Sequence, residues 1–274
     1  MLLRSKKFLS GLVTGAAAAL VVSVACPALL PAREAAAPAR TTPPAAPEPA
    51  KPDLPPLVDR TAPRAAPTPP ARQEESSDAA AAASAAELAA RRDGDRVAAI
   101  ATLRNLISAQ AQFQAMARAD EDADGVGEFG SFGELSGACP VRDGEPLNPP
   151  VFSAAFREVN HGRVTRRGYH YRIYLPLAGQ QGVAERDGGG YAAHQVDPDL
   201  AESTWCCYAW PVEKGLPAFF VNQGGDILEN RTADYAGDFE PPAQAAFEPA
   251  SLGITGQAAV GTRGSDGFEW RQRG

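Results

Sequence analysis

Apolar positions along this chain fall into three regimes. From Phe8 to Ala32 they run almost without interruption, and no charged residue intervenes. From Pro27 to Arg72 they thin to alanines set among prolines. Beyond Asp95 they become periodic, first with helical and then with strand spacing. An Ala-rich run (Ala79 to Ala83, Ala85, Ala86) leads through Glu87, Leu88 and Arg91 to Gly94, where the pattern breaks. After it, Ile100, Leu103, Leu106, Ile107, Phe113 and Met116 recur at spacings of three and four, with Arg104, Asn105, Gln112 and Gln114 between them. That spacing predicts one amphipathic helix with a single buried stripe, ending at the acidic, glycine-containing stretch 120–130.

From Gly130 the period shortens to two. Tyr169 to Leu175 alternates between Gly168 and Pro176 as a strand bounded by breakers, Thr204 to Val212 reads as a second strand, and Phe219 to Val221 as a third. Gly224-Gly225-Asp226 then turns into Ile227-Leu228. The fold class expected is α+β: one long N-terminal amphipathic helix packed on an antiparallel β-sheet, spanning residues 78–240. Roughly 180 residues suffice for one core. The segment 241–274 has little order-promoting pattern and is read as a weakly ordered tail.

The first two regimes are an address and a tether. Arg4, Lys6 and Lys7 precede the apolar run, and Ser23-Val24-Ala25 stands directly before Cys26, the order of an export signal. Residues 1–26 are thus a signal peptide or a membrane anchor. About 25 uncharged positions would span a bilayer, but Gly11, Gly15, Pro27 and Pro31 shorten the helical part. Three outcomes stay open: lipidation at Cys26 as in bacterial lipoproteins, an uncleaved anchor, or secretion after Ala25. Ser23 and Pro27 depart from the usual lipidation pattern. Residues 27–77 form an Ala/Pro linker, and Pro27 to Arg72 holds 14 of the chain's 25 prolines. Proline removes backbone donors and alanine buries little area, so neither sheet nor core is expected there. Its reach lies between roughly 40 and 140 Å, according to how extended it is. The location implied is the bacterial cell envelope, exported and held on the outer side of a membrane.

Four blocks then carry a resemblance. Ala98 to Gln114 (AAIATLRNLISAQAQFQ) resembles the C-terminal half of the long helix of pseudopilin-type proteins. Gly168 to Pro176 (GYHYRIYLP), Cys207 to Pro211 (CYAWP) and Phe219 to Gly224 (FFVNQG) resemble the sheet of a bacterial pilin-like family of unknown function, related in pattern to the major pseudopilin of type II secretion. The likeness covers about residues 95–237 and implies a pilin-like head. No prepilin cleavage motif follows Gly11 or Gly15, and the proline strap separates the apolar segment from the helix. Packing of a shared helical filament core is therefore not expected.

Candidate chemistry is sparse. Asp120, Asp122, Asp124 and Gly125 match the first half of a calcium loop, with Glu128 at its ninth position. The twelfth position is Ser131, so Glu134 or a distant residue would complete the shell. The alternative is a solvated acidic helix end. The resemblance adds that pseudopilin heads carry calcium-stabilised loops. Cys139, Cys206 and Cys207 lie in the exported part, where oxidation favours a disulfide between Cys139 and one of the vicinal pair, whose side chains leave a strand on opposite faces. Only His161, His170 and His194 supply an imidazole for an envelope hydrolase. Trp205 and Trp210, with Tyr169 and Tyr171, would form an aromatic face for glycans or peptides if exposed, and a core if buried.

Charge narrows the partners. From Asp95 onward the sequence holds 24 acids and 15 bases, 9 more negative than positive, which repels phosphate backbones and disfavours nucleic acid. Arg163, Arg166, Arg167 and Arg172 form the one basic cluster visible in the sequence. The reading reached is a non-enzymatic, membrane-tethered envelope protein with a structural or recognition role, its candidate partners being an envelope protein or polysaccharide. An adhesive aromatic module and an envelope hydrolase are the alternatives.

Overall fold

The computed structural model describes residues 72–142 and 144–273, with side chains from residue 80. The export segment, Cys26 and the linker up to residue 71 lie outside the described residues. Helix α1 runs Arg72–Ala115, taking in residues 72–77 that the sequence assigned to the strap. It passes Gly94 without a break. A glycine costs a helix about 1 kcal/mol relative to alanine, too little to end one that packing fixes farther along.

Eight strands follow: β1 (Val164–Arg166), β2 (Tyr169–Pro176), β3 (Gly182–Ala184), β4 (Cys206–Pro211), β5 (Ala218–Asn222), β6 (Leu228–Asn230), β7 (Thr262–Arg263) and β8 (Glu269–Gln272). Two short helices, α2 (Phe132–Leu135) and α3 (Pro198–Ala201), sit in the connections. The sheet order is β1-β2-β4-β5-β6-β8-β7, with β3 pairing the far end of β2, and every paired strand is antiparallel.

Both faces of the central strands are buried. On one, Tyr169, Tyr171, Ile173, Cys207, Ala209, Phe219 and Val221 meet Ile100, Leu103, Leu106 and Phe113 of α1. On the other, Tyr174, Cys206, Tyr208, Trp210 and Phe220 meet Ala245, Phe247, Ile254 and Trp270 of the C-terminal segment. The Tyr208 hydroxyl fastens that segment, donating to the Ala243 carbonyl and accepting from the Ala246 N–H, both at 3.0 Å.

The expected arrangement of an amphipathic helix on an antiparallel sheet, in the manner of a pilin head, is therefore corrected on two counts. Residues 80–91 of α1 are exposed on every side, so the helix carries a buried stripe only in its C-terminal part. The sheet is the middle layer of three, because the segment from Pro241, read as a weakly ordered tail, supplies β7, β8 and the second core. The physical reason is compositional. Cys206, Tyr208 and Trp210 alternate with Cys207 and Ala209, so β4 is apolar on both faces and both need a cover.

Candidate functional site

The acidic stretch after α1 is held by three contacts from its own neighbourhood. The buried Gln110 amide donates to the Gly130 carbonyl at 2.8 Å and accepts from the Gly130 N–H at 3.0 Å. The Glu128 N–H reaches the Ala119 carbonyl at 2.9 Å, closing the loop on itself. Gly127 lies so near α1 that an added Cβ would sit 2.0 Å from the Gln114 carbonyl oxygen, so no other residue fits there. A fourth contact, Phe129 N–H to the Ala201 carbonyl at 2.9 Å, brings α3 alongside. The Gln114 side chain also donates to the Glu202 carbonyl. Helix α3 is set by Asp197, which caps it by accepting from the Leu200 N–H at 3.1 Å, and by Pro198 at its first turn. Asp199 and Glu202, three apart, then share one side of that turn.

This folding sorts the loop's carboxylates into two groups. Asp120, Asp122 and Asp124 face outward, with one oxygen from each within 4.8 Å of the others. Asp122, Asp199 and Glu202 form a second such triad. The aspartates are oriented by backbone donors: Asp120 accepts from the Asp124 and Gly125 N–H groups at 3.1 and 3.2 Å, and Asp124 from Val126 at 2.8 Å. Gly125 adopts φ +93° to allow the turn. Among the described residues none of these five carboxylates makes a salt bridge. Partial desolvation and the neighbouring Asp124, Asp199 and Asp120 push the Asp122 carboxyl upward. One Glu202 carboxylate oxygen is shielded from solvent and has no hydrogen-bond partner.

Glu121, Glu128 and Glu134 turn the other way, around the buried Arg142. Its guanidinium reaches Glu128 at 3.1 Å, Glu134 in a close contact, Glu121 at 3.7 Å and the Phe129 carbonyl at 3.0 Å. It also lies over the Tyr191 ring at 5.5 Å. Glu128, assigned by spacing to the metal loop, is thus committed to Arg142 and to the Glu121 N–H at 2.7 Å. Glu134 is committed too, closing a capping box with Ser131 at the start of α2. The residues that join the aspartates are Asp199 and Glu202, which spacing had no means to find.

The other sequence-nominated residues belong to the core. Tyr169, Tyr171, Trp205 and Trp210 are at most 1% exposed, and Trp210 lies on the opposite side of the sheet from the tyrosines, so no open aromatic platform exists on them. Cys139, Cys206 and Cys207 are free thiols rather than the expected bridge. Cys206 and Cys207 enter opposite cores, and Cys139 packs against Gly133 and Gly190. Burial and the nearby Glu134 and Glu185 push the Cys139 thiol up to about 12, the opposite of what a nucleophile needs. His170, with Nδ1 2.7 Å from the Thr165 hydroxyl and its ring 5.3 Å from Trp210, is lowered to about 4 by burial and by Arg163. Arg163 and Arg172 are ion-paired with Asp238 and Glu240, so two of the four arginines of the basic cluster are neutralised.

The donor set at the outer triads is all oxygen and all anionic, which suits a hard divalent cation rather than zinc or copper. The orphaned Glu202 oxygen is consistent with such a partner. Compared with family models, curated proteins and solved structures, the chain matches none of them.

Proposed function

We propose that this chain is an exported, membrane-tethered, non-catalytic envelope protein whose head serves a structural or recognition role and holds a calcium ion where α1 ends. The observation that carries the reading is the pair of acidic triads sharing Asp122, drawn from two segments far apart in sequence. Asp120, Asp122 and Asp124 would hold the ion from one side, and Asp199 and Glu202 from the other. A bound cation would neutralise a cluster that otherwise repels itself, and would fasten α3 to the helix end. Calcium takes about 6–8 oxygen ligands, so backbone carbonyls and water would complete the shell.

The location rests on the basic start, the apolar run and Cys26, followed by the proline strap. Among the described residues no helix is long and apolar enough to cross a membrane, so attachment in this reading is through the first 26 residues. The acidic balance of the head supports a partner other than nucleic acid, such as an envelope protein or polysaccharide.

Thermal melting of the purified full chain with and without calcium tests the reading. Millimolar calcium should raise Tm, because a ligand at about ten times its Kd adds about 1.4 kcal/mol to the folded state. Asp122→Asn should abolish the rise. An unchanged Tm at millimolar calcium would remove the ion from the proposal. Mass spectrometry of the mature N-terminus tests the tether: an acylated Cys26 or a retained leader supports it, and a free Cys26 at the start of a soluble chain contradicts it.

A further inference from the structure

The helix-side face of the sheet changes character at β6 and β8. The register sets Glu229 opposite Arg271 and Leu228 opposite Gln272. By alternation Leu228 and Trp270 enter the core under the C-terminal segment, while Glu229, Arg231, Glu269, Arg271 and Arg273 share the helix-side face. On β2, β4 and β5 that face is apolar and covered by α1. Here it is charged, and the side chain that α1 contributes is Arg96. The result is a cleft of about 480 Å³ between helix and strands, lined by Arg96, Arg231, Arg271, Arg273, Glu229 and Glu269.

Its charge opposes that of the molecule. These six side chains carry four positive and two negative charges, and Asp93, paired with Arg96 at 2.8 Å, adds a third negative one, which leaves a surplus of one positive charge in a chain whose net charge is −7. Glu229, only 10% exposed, receives both Arg231 and Arg273, the latter at 2.9 Å. Glu269 holds Arg271 through two contacts of 2.9 and 3.0 Å. Arg231 and Arg271 remain 64% and 74% exposed. A guanidinium has five N–H donors in a planar fork, and one carboxylate engages two of them. The cleft therefore presents unused, fixed donors from three segments, at a volume within the usual range for small-ligand sites of about 300–1,000 Å³.

We infer that this cleft binds a small ligand carrying two or more oxyanion groups, carboxylate or phosphate, between Arg96 on the helix and Arg231, Arg271 and Arg273 on the strands. Glu229 and Glu269 hold the guanidiniums in place and limit affinity by competing for them. A single carboxylate would leave the donors on one wall of the cleft unengaged, and duplex nucleic acid would meet the acidic remainder of the head.

Isothermal titration of the metal-free full chain at low ionic strength, with succinate, pyrophosphate and acetate as separate probes, tests this. At least one of the two multivalent anions should bind at least tenfold more tightly than acetate, and which one does distinguishes a carboxylate ligand from a phosphate. The double variant Arg231→Gln/Arg271→Gln, both side chains being exposed, should weaken that binding at least tenfold with an unchanged melt. Glu229→Gln should tighten it severalfold, an effect that a merely structural salt-bridge network would not give. Arg163→Gln, an arginine paired elsewhere, should leave it unchanged. Absence of saturable heat with either multivalent probe below 10 mM, or equal affinity in the double variant, overturns the inference. Working without metal keeps the outcome separate from that of the calcium reading.

Discussion

Two acidic clusters sit back to back at the end of α1, with Asp120, Glu121, Asp122, Asp124 and Glu128 of one loop divided between them and Asp199 and Glu202 joining the outer one from α3. In the inner one, Glu121, Glu128 and Glu134 surround a buried guanidinium, and their oxygens are further occupied by backbone N–H groups. In the outer one, Asp120, Asp122 and Asp124 accept from backbone N–H groups, one Glu202 oxygen has no hydrogen-bond partner, and among the described residues none of these three, nor Asp199 or Glu202, makes a salt bridge. The difference shows where the fold has already balanced its charge and where it has left an excess. The inner cluster is a finished part of the core; the outer one carries charge that no side chain of the described residues balances.

The largest expected effect comes from opening the inner cluster. Arg142→Met leaves Glu128 and Glu134 buried without their counter-charge and should cost about 3–5 kcal/mol in urea denaturation, with or without calcium. A loss below about 1 kcal/mol would mean that the two clusters are less different than described. Next, Gln110→Ala removes the bonds that pin Gly130 to α1 and so positions neither cluster. It should cost about 1–3 kcal/mol and weaken the calcium response, read from the same denaturation curves.

A smaller effect concerns pH. Glu185, buried against the inner cluster, accepts from the Phe132 and Gly133 N–H groups at 3.3 and 3.0 Å, and burial raises it from 4.5 to about 7. The folded protein holds that proton more tightly than the unfolded chain, so this group removes stability as pH rises from about 4.5 through about 7. His170 acts in the opposite sense. Lowered from 6.5 to about 4, it removes stability as pH falls through that interval, because the unfolded chain takes the proton first. The wild-type profile should therefore be shallow between pH 5 and 6.5 as a rough guide. Glu185→Gln should unmask the histidine, with stability falling toward acid by on the order of 1–2 kcal/mol in melts across that range. A Glu185→Gln profile no steeper than wild type would contradict the assignment. Smallest is Asp122→Asn in the absence of metal, which relieves repulsion and should change stability by less than about 0.5 kcal/mol.

What could be read from the sequence follows from how local each signal is. Ile100, Leu103, Leu106 and Phe113 announce their shared stripe because one helix places them together. The strands around Tyr171, Tyr208 and Phe220 are legible because glycine or proline bounds them. The layering was not, since the cover for Tyr208 and Trp210 comes from Phe247 and Ile254, isolated among turns, and from Trp270 on a four-residue strand too short to show a period. The same limit divides the acidic site. Asp120, Asp122 and Asp124 form a local spacing motif, whereas Asp199 and Glu202 arrive through the Phe129 to Ala201 hydrogen bond, and Arg142 is a lone arginine in a loop. Glu128 fits the spacing and is turned away by that arginine. The arginine cleft joins three segments and shows in none of them.

The most direct measurement is calorimetric titration of calcium into the wild-type chain and into Glu202→Gln. Binding of one ion per chain, with a Kd in the roughly 10⁻⁴–10⁻³ M range typical of extracellular modules, and at least tenfold weaker binding in the variant, is the result predicted. Absence of binding, or equal affinity in both proteins, would contradict the claim that the outer carboxylates of two distant segments form one cation site.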